Sequence, residues 1–365
     1  MKPNPLQNRR QALKRGLHPT LLTGVTFAIG AAVLFGASTP FAKILLGKTE
    51  PILLAGLLYL GSGGGLLIWW LFSRRLISRH EAGLKLNDLR WLAGAILSGG
   101  IVGPVLLLIG LRYTPASSAS LLLNLEGVLT ALLAWFVFKE NFDRRIAFGM
   151  AAITAGGLLL SWAGRPELGV PWGAVAIAGA CFAWAIDNNL TRKVSAKDPV
   201  QIAAAKGLVA GVVNLSIAFA LGNARPGAIT IASATIVGFI GYGVSLTLFV
   251  LALRQIGTAR TGAYFSLAPF VGAAISIVLL HDSLTLYFLI AAVLMGIGVW
   301  LHLTERHEHE HKHEALEHEH MHVHDEHHQH EHDSAVSMTE PHSHPHVHDE
   351  LVHSHHHYPD IHHRH

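Results

Sequence analysis

Four ionisable side chains, Lys43, Glu126, Asp187 and Lys206, stand inside long apolar stretches of the chain. A charge at membrane depth costs at least about 3 kcal/mol, so each is expected to have a partner or a use. Glu126 lies in the middle of its stretch, within Asn124-Leu125-Glu126-Gly127, where its side chain cannot reach water. A carboxyl that apolar surroundings can keep neutral and a nearby cation can keep charged suits proton or cation coupling. The alternative is a structural carboxyl hydrogen-bonded to Asn124 or to a neighbouring helix. Asp187 and Lys206 flank one short polar connection, 192–198, on stretches that run in opposite directions. At about 1.5 Å per helical residue both lie roughly 8–11 Å from it, at matching depth. An ion pair there lowers the desolvation cost of each, with Asn188 and Asn189 adding hydrogen-bonding capacity. Such a pair either locks two helices or serves as a gate or substrate contact. Lys43, close to the end of its stretch, is expected to extend its stem to the interface. Pro40, Pro104 and Pro269 interrupt apolar stretches and free backbone carbonyls that only a cavity or neighbouring polar groups can satisfy.

A second chemistry sits at the C-terminal end. Residues 305–365 hold 23 histidines in repeated His-x-His form, among them His307, His309, His311 and His313, then His318, His320, His322 and His324, then His342, His344, His346 and His348. Neutral imidazole is a ligand for zinc, nickel, cobalt or copper, and the interspersed glutamates add oxygen ligands. Low complexity without an apolar core predicts a disordered, metal-binding tail over 304–365.

The elements that carry these residues follow from composition. The chain is 51% hydrophobic and 14% charged, too apolar for a soluble globule of this length, so lipid must be the solvent for most of it. Residues 1–304 hold 24 Lys and Arg against 10 Asp and Glu, whereas the tail holds 3 against 14. The net charge of +3 is thus a basic body plus an acidic tail and gives no reason to expect a nucleic-acid partner. Cys181 has no second cysteine to pair with. About 20 apolar residues span the hydrocarbon core. Ten stretches qualify: 21–46, 51–72, 91–111, 115–138, 146–163, 172–191, 199–221, 233–253, 257–280 and 285–303. The first is too long for a signal-peptide core. Counted on alternate sides, 18 Lys and Arg face 4, which predicts both termini in the cytoplasm. Trp69, Trp70, Trp91, Trp162, Trp172 and Trp300 lie near span ends, as an interfacial belt requires.

The chain also repeats itself. Leu111–Phe142 aligns without a gap on Leu253–Leu284, each opening on Leu-Arg and each closing its apolar run with an acid, Glu140 or Asp282. Gly24–Lys43 lies over Gly173–Arg192, with Phe35 over Trp184. Five spans per copy, an odd number, predict that the second half is inserted upside down, with a midplane site between the halves. The segments GLRYTPASSASLLLNLEGVLTALLAWFVFKENF and ALRQIGTARTGAYFSLAPFVGAAISIVLLHDSL resemble the drug/metabolite transporter superfamily, specifically its EamA-like group with tandem five-helix units over 21–163 and 172–303. The resemblance implies transport of a small solute without an obligatory cofactor. In that family a helix with a central proline ends at a loop acid. Pro269 and Asp282 fit, whereas the first copy has Glu126-Gly127 in place of the proline.

The reading is an all-α integral membrane protein, monomer or homodimer, that moves a small metabolite, with Glu126, Asp187, Asn188, Lys206, Asn124 and Pro269 as candidate substrate or coupling residues. The rival is a transition-metal efflux carrier fed by the tail. Against it, the spans carry no His-x-x-x-His or Asp-x-x-x-Asp pair. A tethered metal buffer would leave the repeat unexplained, and no nucleophile–base constellation supports an enzyme.

Overall fold

Lipid offers no partner to backbone N–H and C=O groups, so the apolar stretches must close their own hydrogen bonds as helices. The structure, a computed structural model, describes residues 19–76, 84–138, 144–162, 171–194, 197–303 and four tail segments within 308–356. The first two spans are Pro19–Leu46 and Pro51–Leu76, and the third runs from Leu89 to Tyr113. The fourth is in two pieces, Ala116–Leu122 and Leu125–Phe138. Arg144–Trp162, Trp172–Arg192 and Pro199–Ala220 follow, then Ala228–Phe265, Ala268–Leu280 and Leu286–Leu303.

Helical residues run unbroken from Ser245 to Phe265, where the sequence places a boundary between the eighth and ninth spans. This segment is nevertheless a hairpin. The rings of Phe249 and Phe265 are 4.8 Å apart, whereas a straight helix would separate them by about 24 Å. Gly24 meets Gln255 and Ile256, and twelve residues further along the first span Gly36 meets Ala268. The chain therefore descends and returns along the first span, reversing near Gly257 without a loop.

The two halves carry matching irregularities. The third span contains a π-helical segment, Ile96–Val102, and the 142-residue offset carries it onto Phe239–Val244, the π-helical segment of the eighth. Helix breaks at Leu123-Asn124 and Ser266-Leu267 correspond to within one residue. The proline expectation changes in detail. Pro40 lies inside an intact helix and Pro104 inside the continuous third span directly after its π-helical segment, whereas Pro269 sits in the first turn of a helix that restarts after a break, where a missing N–H is harmless.

Contacts between the halves are exchanged by a two-fold relation. The first span lies along the eighth and ninth, and the sixth lies along the third and fourth. The second span crosses the seventh with opposite polarity, Gly63 against Leu208, Leu60 against Gly211 and Gly56 against Leu215. A Cβ on Gly63 would come within 2.2 Å of the Leu208 nitrogen, so the run Gly61–Gly65 is a close helix contact. Outward-facing Phe72, Val278 and Trp300 are exposed to the hydrocarbon or its border, as a lipid-solvated body requires.

The tail shows more regularity than its composition implies. Strands β1 (Glu308–His313), β2 (Leu316–His322), β3 (His342–His348) and β4 (Leu351–His356) pair as two antiparallel ladders, β1 with β4 and β2 with β3. Alternating sequence has the period of a strand, and isolated two-stranded ladders are marginal in water, so this is local pairing without a core. His307 and His324 lie outside the described residues, as does Glu140.

Candidate functional site

The sixth and seventh spans are held side by side by a short connection, and Asp198 caps the seventh by accepting from the N–H groups of Val200 and Gln201. The seventh span begins there and carries Lys206 opposite Asp187. The ammonium donates to Asp187 Oδ1 at 2.6 Å and Oδ2 at 2.7 Å. Both residues are buried, 5% and 7% exposed. The third member is Thr191, one helical turn beyond Asp187, whose hydroxyl donates to Asp187 Oδ1 at 2.8 Å and accepts from Lys206 at 3.2 Å. Asn189 does not join the pair; its amide donates to the Ala185 carbonyl of its own helix.

Glu126 opens the second piece of the fourth span, beside the sixth. Its partner is Asn188, whose Nδ2 donates to Glu126 Oε1 at 2.7 Å. Asn124, the sequence neighbour expected to serve, turns away: it donates to the Leu121 carbonyl and approaches Met295 Sδ at 3.9 Å. It belongs to the helix break, and Pro269 belongs to the restart of the ninth span against the first. Neither lines the cavity described next.

Glu126, Asp187, Asn188 and Lys206 share one cavity of about 700 Å³, its open mouth included, between the two halves. Spans one, two, four and six to nine all contribute to its wall. Six of the lining residues are aromatic. Phe35 packs on Trp184, Tyr242 and Phe265 at centroid distances of 6.1, 5.9 and 5.4 Å, and Tyr59 on Tyr242 at 5.4 Å. Phe35 and Trp184, repeat mates in the sequence, thus touch each other.

The π-helical segment of the third span explains two of these positions. Gly103 N–H bonds back to Ser98, and Pro104 has no N–H to offer, so the Gly99 carbonyl is left for side chains. Tyr59 Oη donates to it at 2.7 Å and Trp184 Nε1 at 2.9 Å. A Cβ on Gly99 would lie 1.9 Å from Asp187 Oδ2, so only glycine lets this backbone approach the ion pair. Tyr59, Trp184 and Tyr242 are the residues that sequence reasoning missed. The available signal was an aromatic residue deep within a span rather than at its end.

Lys43 has a structural role. Its ammonium donates to the carbonyls of Leu111 and Thr114, closing the C-terminus of the third span, while Asp282 accepts from the Ser117 N–H at 2.8 Å.

The model of the EamA-like transporter family matches residues 22–162 and 171–304. The chain belongs to that family. A transporter of Methanothermobacter thermautotrophicus, named as uncharacterized, is 29% identical over 79% of this chain and 88% of its own length. The transporter YyaM of Bacillus subtilis is 26% identical over 74% and 90%. A protein of Salmonella typhimurium named as a probable amino-acid metabolite efflux pump is 26% identical over 75% and 93%. One crystal structure superposes with a TM-score of 0.57 at 16% identity, covering 77% of this chain and 94% of the other, a likeness of fold. The EamA-like repeats coincide with the two halves that enclose the cavity.

Proposed function

We propose that this EamA-like protein is a secondary transporter that moves a small metabolite across the cytoplasmic membrane through the cavity between its halves, both termini facing the cytoplasm. The observation that carries this is the convergence of a buried ion pair, a second carboxyl and an aromatic wall on one cavity to which both repeats contribute. Inverted halves that rock about such a site give it access to alternate sides. The test is reconstitution into liposomes loaded with a mixed pool of small metabolites, with efflux followed by mass spectrometry. Saturable loss of particular solutes from protein-bearing vesicles is the expected result. No protein-dependent loss of any solute, from protein that remains monodisperse, would sink the reading.

A second role, divalent transition-metal binding by the tail, is supported by strand register. His318 stands opposite His346, His320 opposite His344 and His322 opposite His342, while His309 faces His355 and His311 faces His353. Directly opposed strand positions are about 5 Å apart, so the register sets histidine positions side by side in pairs.

A further inference from the structure

The polar groups around the cavity are unequally committed. An ammonium has three donors, and Lys206 spends all of them on Asp187 Oδ1, Asp187 Oδ2 and Thr191 Oγ1. Both Asp187 oxygens are engaged in return. The pair lines the cavity, but its ammonium has no donor left over for a substrate carboxylate. Glu126 differs. It lines the same cavity and is only partly buried, its one hydrogen bond is to the neutral amide of Asn188, and among the described residues no cation pairs with it. The rings of Phe35, Tyr59, Trp184, Tyr242, Phe249 and Phe265 line the same cavity.

An uncompensated carboxylate within an aromatic wall is the surround in which an ammonium group is bound, by charge on one side and by ring quadrupoles on the other. We infer that the cavity takes a small monocationic amine with an apolar body, its ammonium on Glu126 and its body against the rings, and discriminates against the zwitterion and the anion of the same shape. A zwitterion would bring a carboxylate into a low-dielectric space whose lysine is already occupied, leaving that charge without a partner. The inference rests on the transport reading, since it names the solute class of the same cavity.

The experiment uses three probes of matched shape on the purified full-length chain at pH 7: phenethylamine, phenylalanine and 3-phenylpropionate. Binding is read by calorimetry and flux in liposomes. Phenethylamine should bind at least 10-fold more tightly than either of the others. Glu126→Gln, which keeps the shape and can still accept from Asn188, should weaken phenethylamine at least 10-fold at unchanged melting temperature. Glu126→Asp, which keeps the charge, should retain the order of preference and so supports the assignment even if the glutamine variant folds poorly. Equal binding of phenethylamine and phenylalanine, no binding of phenethylamine, or indifference to both substitutions would overturn it. If phenethylamine binds in this pattern but no solute of any charge crosses the vesicle membrane, the transport reading fails and the site assignment stands. If other solutes cross while phenethylamine neither binds nor crosses, transport stands and this assignment fails.

Discussion

At Lys206 three hydrogen bonds meet where almost no water reaches, and the balance of that arrangement decides what a substitution does. Lys206→Met leaves Asp187 buried with one hydroxyl partner and should cost about 3–5 kcal/mol, read as a lowered unfolding midpoint in detergent. The double variant Asp187→Asn, Lys206→Met removes both charges and should be milder. Equal midpoints for the single and the double would show that the two do not stabilise each other. Their pairing was legible in the sequence because two charges of opposite sign lie five and eight residues from the two ends of one short connection. Thr191 was not, since its hydroxyl resembles any threonine in a helix. The partner of Glu126 was hidden for a different reason. Asn188 is 62 residues away, and only the packing of the fourth span on the sixth brings them together.

Helices expose what sequence patterns can and cannot carry. Length and apolarity located the spans, because both follow from the thickness of the membrane. The π-helical segments were invisible, since Ile96–Val102 reads as any apolar run, whereas the reversal between the eighth and ninth spans was expected between 253 and 257 and only its loop-free form was not. The glycine run of the second span allows a paired test. Gly63→Val places a side chain against the backbone of Gly207 and Leu208 and should sharply lower the yield of monodisperse protein. Gly64→Ala, with nothing within 4 Å of the added carbon, should be neutral or stabilising by up to about 1 kcal/mol. Equal yields from both would refute the close contact.

Over the whole molecule the proposed orientation rests on the charge count, and the tail follows the last span in the sequence. Alkaline phosphatase fused near Lys48, Arg165 and Arg225 should be active, and fused after Leu303 inactive. Activity at the last position would require an odd number of spans. A chain ending at Thr304 retains both repeats and every intramembrane charge, so it should insert and transport as before. Titration of the full-length chain with zinc at pH 7.5 should show several ions bound that the shortened chain lacks. Imidazole gains a proton below about pH 6.5 and then cannot ligate, so the difference should largely vanish at pH 5.5. Loss of all transport on truncation, at unchanged expression, would place the tail in the translocation path.

The ion pair belongs wholly to the second half. Ser38 and Leu58 occupy the places in the first half that Asp187 and Lys206 occupy in the second. Were the halves chemically identical, the shape open to one side and the shape open to the other would be equal in energy as far as the protein's own contacts go. With a charged clasp on one side of the axis and a hydroxyl and an isobutyl group on the other, that degeneracy is lifted. The two shapes of the idle molecule are therefore expected to be unequally populated before any solute or gradient is supplied.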